Sequence, residues 1–76
     1  MTVREQILEV LSNQLGTPYD KITDDKHIVN DLGADSLDVI EIAIEIEEEV
    51  DIRLPDDEAR SVTTVGELIK LVESKC

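Results

Sequence analysis

A serine set between two acids, Asp35-Ser36-Leu37-Asp38, directly after Asp31-Leu32-Gly33-Ala34, is the stretch of this 76-residue chain best suited to chemistry. Asp35 with Asp38 three positions on has the form of a capping box, an N-cap acceptor answered by an acid at N3. A helix therefore starts at Asp35 or Ser36. Ser36 lies at its mouth, where backbone N–H groups lack partners and the helix end carries partial positive charge. A phosphoester on Ser36 would be electrostatically favoured there. Taken alone, Asp-Ser-Leu is also compatible with a plain N-cap.

The helix that follows, to about Val50, gives the serine a context. At about 100° per residue, Asp38, Glu41, Glu45, Glu48 and Glu49 fall within one narrow arc, and Val39, Ile42, Ala43, Ile46 and Val50 take the opposite side. Leu37, Ile40 and Ile44 carry the apolar surface round to the edge of the acids. A helix with a single core-facing side does not need so wide an apolar arc, so Leu37 and Ile44 are expected to be partly exposed beside the acid stripe. Like charges three and four residues apart cost about 0.2–0.5 kcal/mol each. A domain of this size holds only about 3–5 kcal/mol in all. No lysine or arginine between Lys26 and Arg53 relieves the stripe, which therefore reads as an interaction surface rather than an ordinary solvated face.

Other chemistries are excluded. There is no Cys/His pair, no Gly-rich phosphate loop and no metal-ligand cluster. His27 is the sole histidine, read as a surface residue, and no third group is apparent to orient it as a base for Ser36. An EF-hand begun at Asp31 puts Ser36 on the required glycine and Ile42 where a bidentate Glu is needed; begun at Asp20, it fails at Ile22. With 19 acids against 7 Lys plus Arg, the net charge of −12 repels nucleic acid and anionic membranes and favours partners with basic patches. The single cysteine, Cys76, rules out an internal disulfide and reads as an inert exposed thiol; an intermolecular disulfide is the rival. No secretory signal, transit peptide or transmembrane run is visible, which predicts a cytoplasmic protein, or an organellar one after trimming of a transit peptide.

The elements that must position Ser36 and the stripe are helical. Thr2-Val3-Arg4-Glu5 is a capping-box start, and Val3, Ile7, Val10, Leu11 and Leu15 recur at helical spacing, predicting a helix over about residues 3–15 ended by Gly16 and Pro18. Its polar face (Arg4, Glu5, Glu9, Asn13) reads as solvated. Residues 16–35 read as a long loop pinned by Ile22, Ile28, Val29 and Leu32, with a short helical turn near Lys21–Asp25. Ile52 and Leu54 of the next connector are expected to point inward. A short helix of about five residues, Asp57–Ser61, follows Pro55. Thr64-Val65-Gly66-Glu67 starts the last helix, with Val65, Leu68, Ile69, Leu71 and Val72 apolar, to about Ser74. Together these form an all-α bundle of three main helices and one short one, a single domain over 1–76, with a core lacking Phe and Trp.

Asp31-Leu32-Gly33-Ala34-Asp35-Ser36-Leu37-Asp38 followed by an acidic helix resembles the acyl carrier proteins of dissociated (type II) fatty acid synthesis, over nearly the whole chain. Relatives often have Phe where this chain has Ile28 and Val50. The resemblance implies a monomeric carrier rather than an enzyme. A phosphopantetheinyl transferase would use coenzyme A and Mg²⁺ to place 4′-phosphopantetheine on Ser36 as a phosphodiester. The arm's terminal thiol would hold acyl chains as thioesters and deliver them to fatty acid synthesis enzymes bearing basic docking patches. Asp35 would position the helix start and meet the modifying enzyme, Leu37 and Ile44 would supply apolar contacts, and Asp38, Glu41, Glu45, Glu47 and Glu48 would meet Arg and Lys of partners. Glu47 lies off the main stripe. The interior could shelter a growing chain. Two alternatives stay open: a carrier of polyketide or aminoacyl/peptidyl cargo, and an unmodified acidic docking module. Peptidyl carriers are less acidic and often read Gly-Gly-His/Asp-Ser-Leu, so Gly-Ala-Asp-Ser-Leu-Asp favours the fatty acid type.

Overall fold

Three capping boxes set where the long helices begin. The computed structural model describes residues 1–76 and places α1 at Val3–Leu15, α2 at Ser36–Val50, α3 at Asp56–Ser61 and α4 at Val65–Ser74. At the start of α1, Thr2 Oγ1 accepts the Glu5 N–H at 3.1 Å while Glu5 Oε1 accepts the Thr2 N–H at 2.9 Å. The same reciprocal pair joins Thr64 and Glu67 at the start of α4, where Glu67 also accepts the Thr63 N–H at 2.8 Å. Each box satisfies donors that the helix itself cannot. These bonds also hold the Glu5 and Glu67 carboxyls below the usual glutamate range. Gly16 ends α1 in the left-handed conformation at φ 67°, with its N–H on Ser12 O. The non-glycine Asp51 does the same for α2 at φ 60°.

Helix α2 packs against α1 on one side and α3 on the other, and α4 closes on α1. Sixteen buried side chains, all apolar, form one cluster. Ile7, Leu8, Val10 and Leu11 come from α1, Ile42, Ala43 and Ile46 from α2, Ala59 from α3, and Val65, Leu68, Ile69 and Val72 from α4. The expected all-α bundle of three main helices and one short one is the architecture found.

The loop over 16–35 departs from expectation in detail. Its helical turn is a 3-10 turn at Tyr19–Lys21, earlier than the expected Lys21–Asp25. Ile22 and Ile28 are buried and Leu32 is half-buried, but Val29 is 48% exposed, and Ala34 takes the inward place instead. The turn over 27–34 accounts for this. The Leu32 N–H donates to His27 O, Gly33 to Val29 O and Ala34 to Ile28 O, and Gly33 sits at φ 78°, so the chain folds back and swings Val29 outward. In the next connector Leu54 is buried and Ile52 half-buried, and α3 begins at Asp56, one residue before the expected start.

The loop is tied to the start of α4. The Ile28 N–H donates to Thr63 O, Val65 to Lys26 O and Gly66 to Asp24 O, each at 2.9–3.0 Å, around an isolated antiparallel bridge between His27 and Thr64. A Cβ on Gly66 would lie 3.3 Å from Asp24 O, which explains a glycine in the first turn of a helix. The polar face of α1 is not simply solvated. Arg4 grips Asp24 with two bonds of 2.6 and 2.9 Å, clamping the loop from the other side and lowering the Asp24 carboxyl below its ordinary range.

Candidate functional site

Ser36 is the first residue of α2 and is exposed. Asp35 caps it: Asp35 Oδ1 accepts the Asp38 N–H at 2.8 Å, and Asp38 Oδ2 accepts the Asp35 N–H at 3.2 Å. The first main-chain bond of the helix runs from Val39 N–H to Asp35 O. The N–H groups of Ser36 and Leu37 therefore lie ahead of the helical ladder and face outward with the positive end of a 15-residue dipole. Asp35 thus organises the mouth while Ser36 Oγ stays free at the surface. His27 Nδ1 accepts the Asn30 N–H at 3.3 Å within its own turn.

Beside Ser36 opens a groove of about 310 Å³ lined by Ile28, Val29, Ala34, Asp35, Val39, Ala59, Arg60 and Val62. Beneath it lies an apolar cavity of about 10 Å³, bounded by Val39, Ile42 and Ala43 of α2, Ala59 of α3, and Ile28, Leu54, Val62 and Leu68. Ile28, Val39, Ala59 and Val62 line both spaces. The two are therefore separated only by aliphatic side chains at the seam of α2 and α3. The cavity has room for about one water, and all eight residues that line it are apolar.

Along α2 the expected mixed face is present. Leu37 is 64% and Ile44 49% exposed, and Glu41, Glu45, Glu48 and Glu49 are exposed with them. Asp38 is half-buried. Gln14 of α1 reaches over and donates at 3.3 Å to both Asp38 Oδ1 and Glu41 Oε2, a polar bridge on the upper part of the stripe that sequence reading missed. Lower down, Glu45 and Glu49 share a recess with Gln6, Glu9 and Asn13 of α1. Glu47 lies off the stripe, as expected, and is engaged within the fold. It is half-buried, and its Oε2 accepts the Leu54 N–H at 2.8 Å, fastening the α2–α3 connector. Its charge is committed to the chain's own backbone.

No group of three or more His, Cys, Asp or Glu side chains converges where it could hold a metal ion. Cys76 is exposed, with Sγ 3.4 Å from Val72 O. No helix is long and apolar enough to cross a membrane. Arg60 of α3, which sequence reading left unremarked, lines the same groove as Ser36; only contacts across the fold reveal it.

This arrangement matches known proteins. A family profile described as a phosphopantetheine attachment site matches residues 5–72. The chain is 43% identical over 74 residues to an acyl carrier protein of Sulfurovum sp. (strain NBC37-1), covering 97% of this chain and 99% of that one. Among solved structures, a protein described as an acyl carrier protein from Mycobacterium tuberculosis superposes with a TM-score of 0.87 at 32% identity, over 96% of this chain and 97% of that one. The acyl carrier protein from Enterococcus faecalis gives 0.82 at 31% identity, over 97% and 94%.

Proposed function

This chain belongs to the acyl carrier proteins, and on that premise we propose that Ser36 Oγ is where its 4′-phosphopantetheine arm attaches and that the exposed face of α2 is where partner enzymes dock. As a member of that family the chain carries acyl groups and is not itself an enzyme. The arm supplies a thiol whose thioester is a good acyl donor with an easily deprotonated α-carbon. The observation that carries the site is the pairing of an exposed, unengaged Ser36 with free N–H groups at the start of a long helix. That donor set fits a phosphodiester: two outward N–H groups, a positive helix end and a hydroxyl that no neighbouring carboxylate blocks.

Ser36 acts as acceptor only. Oγ would form a P–O bond to the pantetheine-side phosphorus of coenzyme A as the pyrophosphate P–O bond breaks and adenosine 3′,5′-bisphosphate leaves, and the proton Oγ loses would pass to the phosphopantetheinyl transferase. Asp35 holds the first turn rigid through Asp38, so the hydroxyl is presented in one place. The face made of Leu37, Ile44, Glu41, Glu45 and Glu48, with Asp38 at its edge, joins apolar anchors to negative charge. Such a face suits fast, salt-sensitive, transient docking to basic patches, as one carrier visiting several fatty acid synthesis enzymes requires. In the resting fold the interior is too small for an acyl chain. Shelter would require α2 and α3 to part, and α3 is the element suited to yield: six residues, no side-chain N-cap bond and one buried residue, Ala59.

The test is intact mass after incubation with coenzyme A, Mg²⁺ and a broad-specificity phosphopantetheinyl transferase, with Ser36→Ala alongside. The expected result is one phosphopantetheine on the wild type and none on a folded Ser36→Ala. Attachment to the variant would refute the site. A folded, verified unmodified wild type that takes no arm would leave the unmodified docking module as the reading.

A further inference from the structure

Arg60 is set apart from the other basic residues by its place beside Ser36. The two ion pairs of the fold are Arg4 with Asp24 and Lys75 with Glu58, and neither involves Arg60. Asp35, the one carboxylate on the groove lining, accepts the Asp38 N–H instead. Arg60 is exposed in the last turn of α3 and lines the groove that also holds Ser36. It is the only basic residue on that lining.

We propose that Arg60 is the intramolecular counter-ion of the phosphodiester on Ser36, pinning the root of the arm across the groove between α2 and α3. The proposal rests on Ser36 being the attachment point. A phosphodiester there adds a negative charge between Asp35 and Asp38, in a chain already at −12. The α2 N–H groups offset part of that repulsion from one side, and a guanidinium from the opposite wall offsets more, because its planar fork matches two phosphate oxygens at once. Anchored at both rims, the arm would start over the apolar seam of Val39, Ala59 and Val62 rather than along the acidic face of α2. The root of the arm and the docking face would then stay apart until a partner draws them together.

The test uses apo and phosphopantetheinylated protein, with Ser36 occupancy verified by mass. Proton–nitrogen NMR of the three arginine side chains gives Arg4 and Arg53 as internal controls. The Arg60 Nε–H signal is expected to shift on modification while those of Arg4 and Arg53 stay put, and 0.5 M NaCl should reverse most of the shift. In a thermal cycle, Arg60→Ala should lower the Tm of the modified form by about 1–6 °C more than that of the apo form, with Arg60→Lys recovering part of the loss. An Arg60 signal that does not move on protein fully modified at Ser36 overturns the inference and leaves the attachment site standing. An arm found elsewhere than Ser36 overturns both.

Discussion

Glu45 carries most of the like-charge strain on α2, and neutralising it should stabilise the protein. Its carboxylate is exposed, and it faces Glu41 one turn back and Glu48 and Glu49 one turn on. Three such helix pairs amount to about 0.6–1.5 kcal/mol. The remaining pair, Asp38 with Glu41, is eased by Gln14, so Glu45 is where relief is largest. Glu9 of α1 adds to the crowding from across the shared recess. Gln matches Glu in shape and nearly in helix propensity, so Glu45→Gln isolates the charge. With an unfolding entropy of about 2.1 cal/mol/K per residue, a 76-residue chain gains about 4–9 °C in Tm. The assay is a circular-dichroism melt of wild type and variant at 10 mM and 1 M NaCl, between which the screening length falls from about 30 Å to about 3 Å. The wild type should melt higher in salt or millimolar Mg²⁺, and the gap to the variant should close. No gap at low salt, or one unchanged at 1 M, would show that repulsion along the stripe is not a significant cost.

Two further outcomes follow from the same charges. Glu41→Lys or Glu48→Lys should raise a partner enzyme's KM by about fivefold at low ionic strength, with melting no lower than wild type and the difference fading in salt; unchanged kinetics at low salt would remove α2 as the docking face. The depressed carboxyl of Glu67 makes stability pH-dependent, with a definite sign. A folded-state pKa below the unfolded value contributes stability above that unfolded value, near 4.5, and loses it as pH falls through the depressed one. Glu67→Gln keeps a cap without the charge, so its melting deficit against wild type should hold from pH 7 to 5 and shrink progressively as pH falls below 4.5. A deficit independent of pH would mean that the charge contributes nothing.

The helices were legible because their boundaries are local. Each capping box lies within four consecutive residues, and the apolar repeat places Ile7, Leu11, Ile42, Ile46, Leu68 and Val72 inside without reference to the rest of the chain. Leu37 and Ile44 were legible for the opposite reason, since one core face leaves no room for them. What stayed hidden is set across the fold. Residue type alone favours Val29 over Ala34 as the inward residue, and only the turn held by Gly33 reverses them. A helical wheel moves Glu47 off the stripe but does not reveal the Leu54 N–H, seven residues on, that takes its carboxylate. Arg60 has no local pattern at all.

The hidden contacts decide how Ser36 is presented. The serine stands at the end of a twenty-residue excursion from α1, which would be a mobile leash if nothing secured it. Four attachments secure it: Arg4 on Asp24, the main-chain bonds of Asp24, Lys26 and Ile28 to the 63–66 segment, the buried Ile22 and Ile28, and the turn closed on Ala34. Three of the four rely on elements remote in sequence, and the start of α4 supplies the main-chain bonds although it lies nowhere near the serine along the chain. Helix α3, by contrast, is fastened mainly by the packing of Ala59 and by Lys75 on Glu58. The groove therefore has one heavily braced wall, the mouth of α2 with its loop, and one wall with fewer attachments, α3. A carrier needs that asymmetry: the attachment point must keep its position for every partner, while the opposite wall must be able to give way to cargo of varying size.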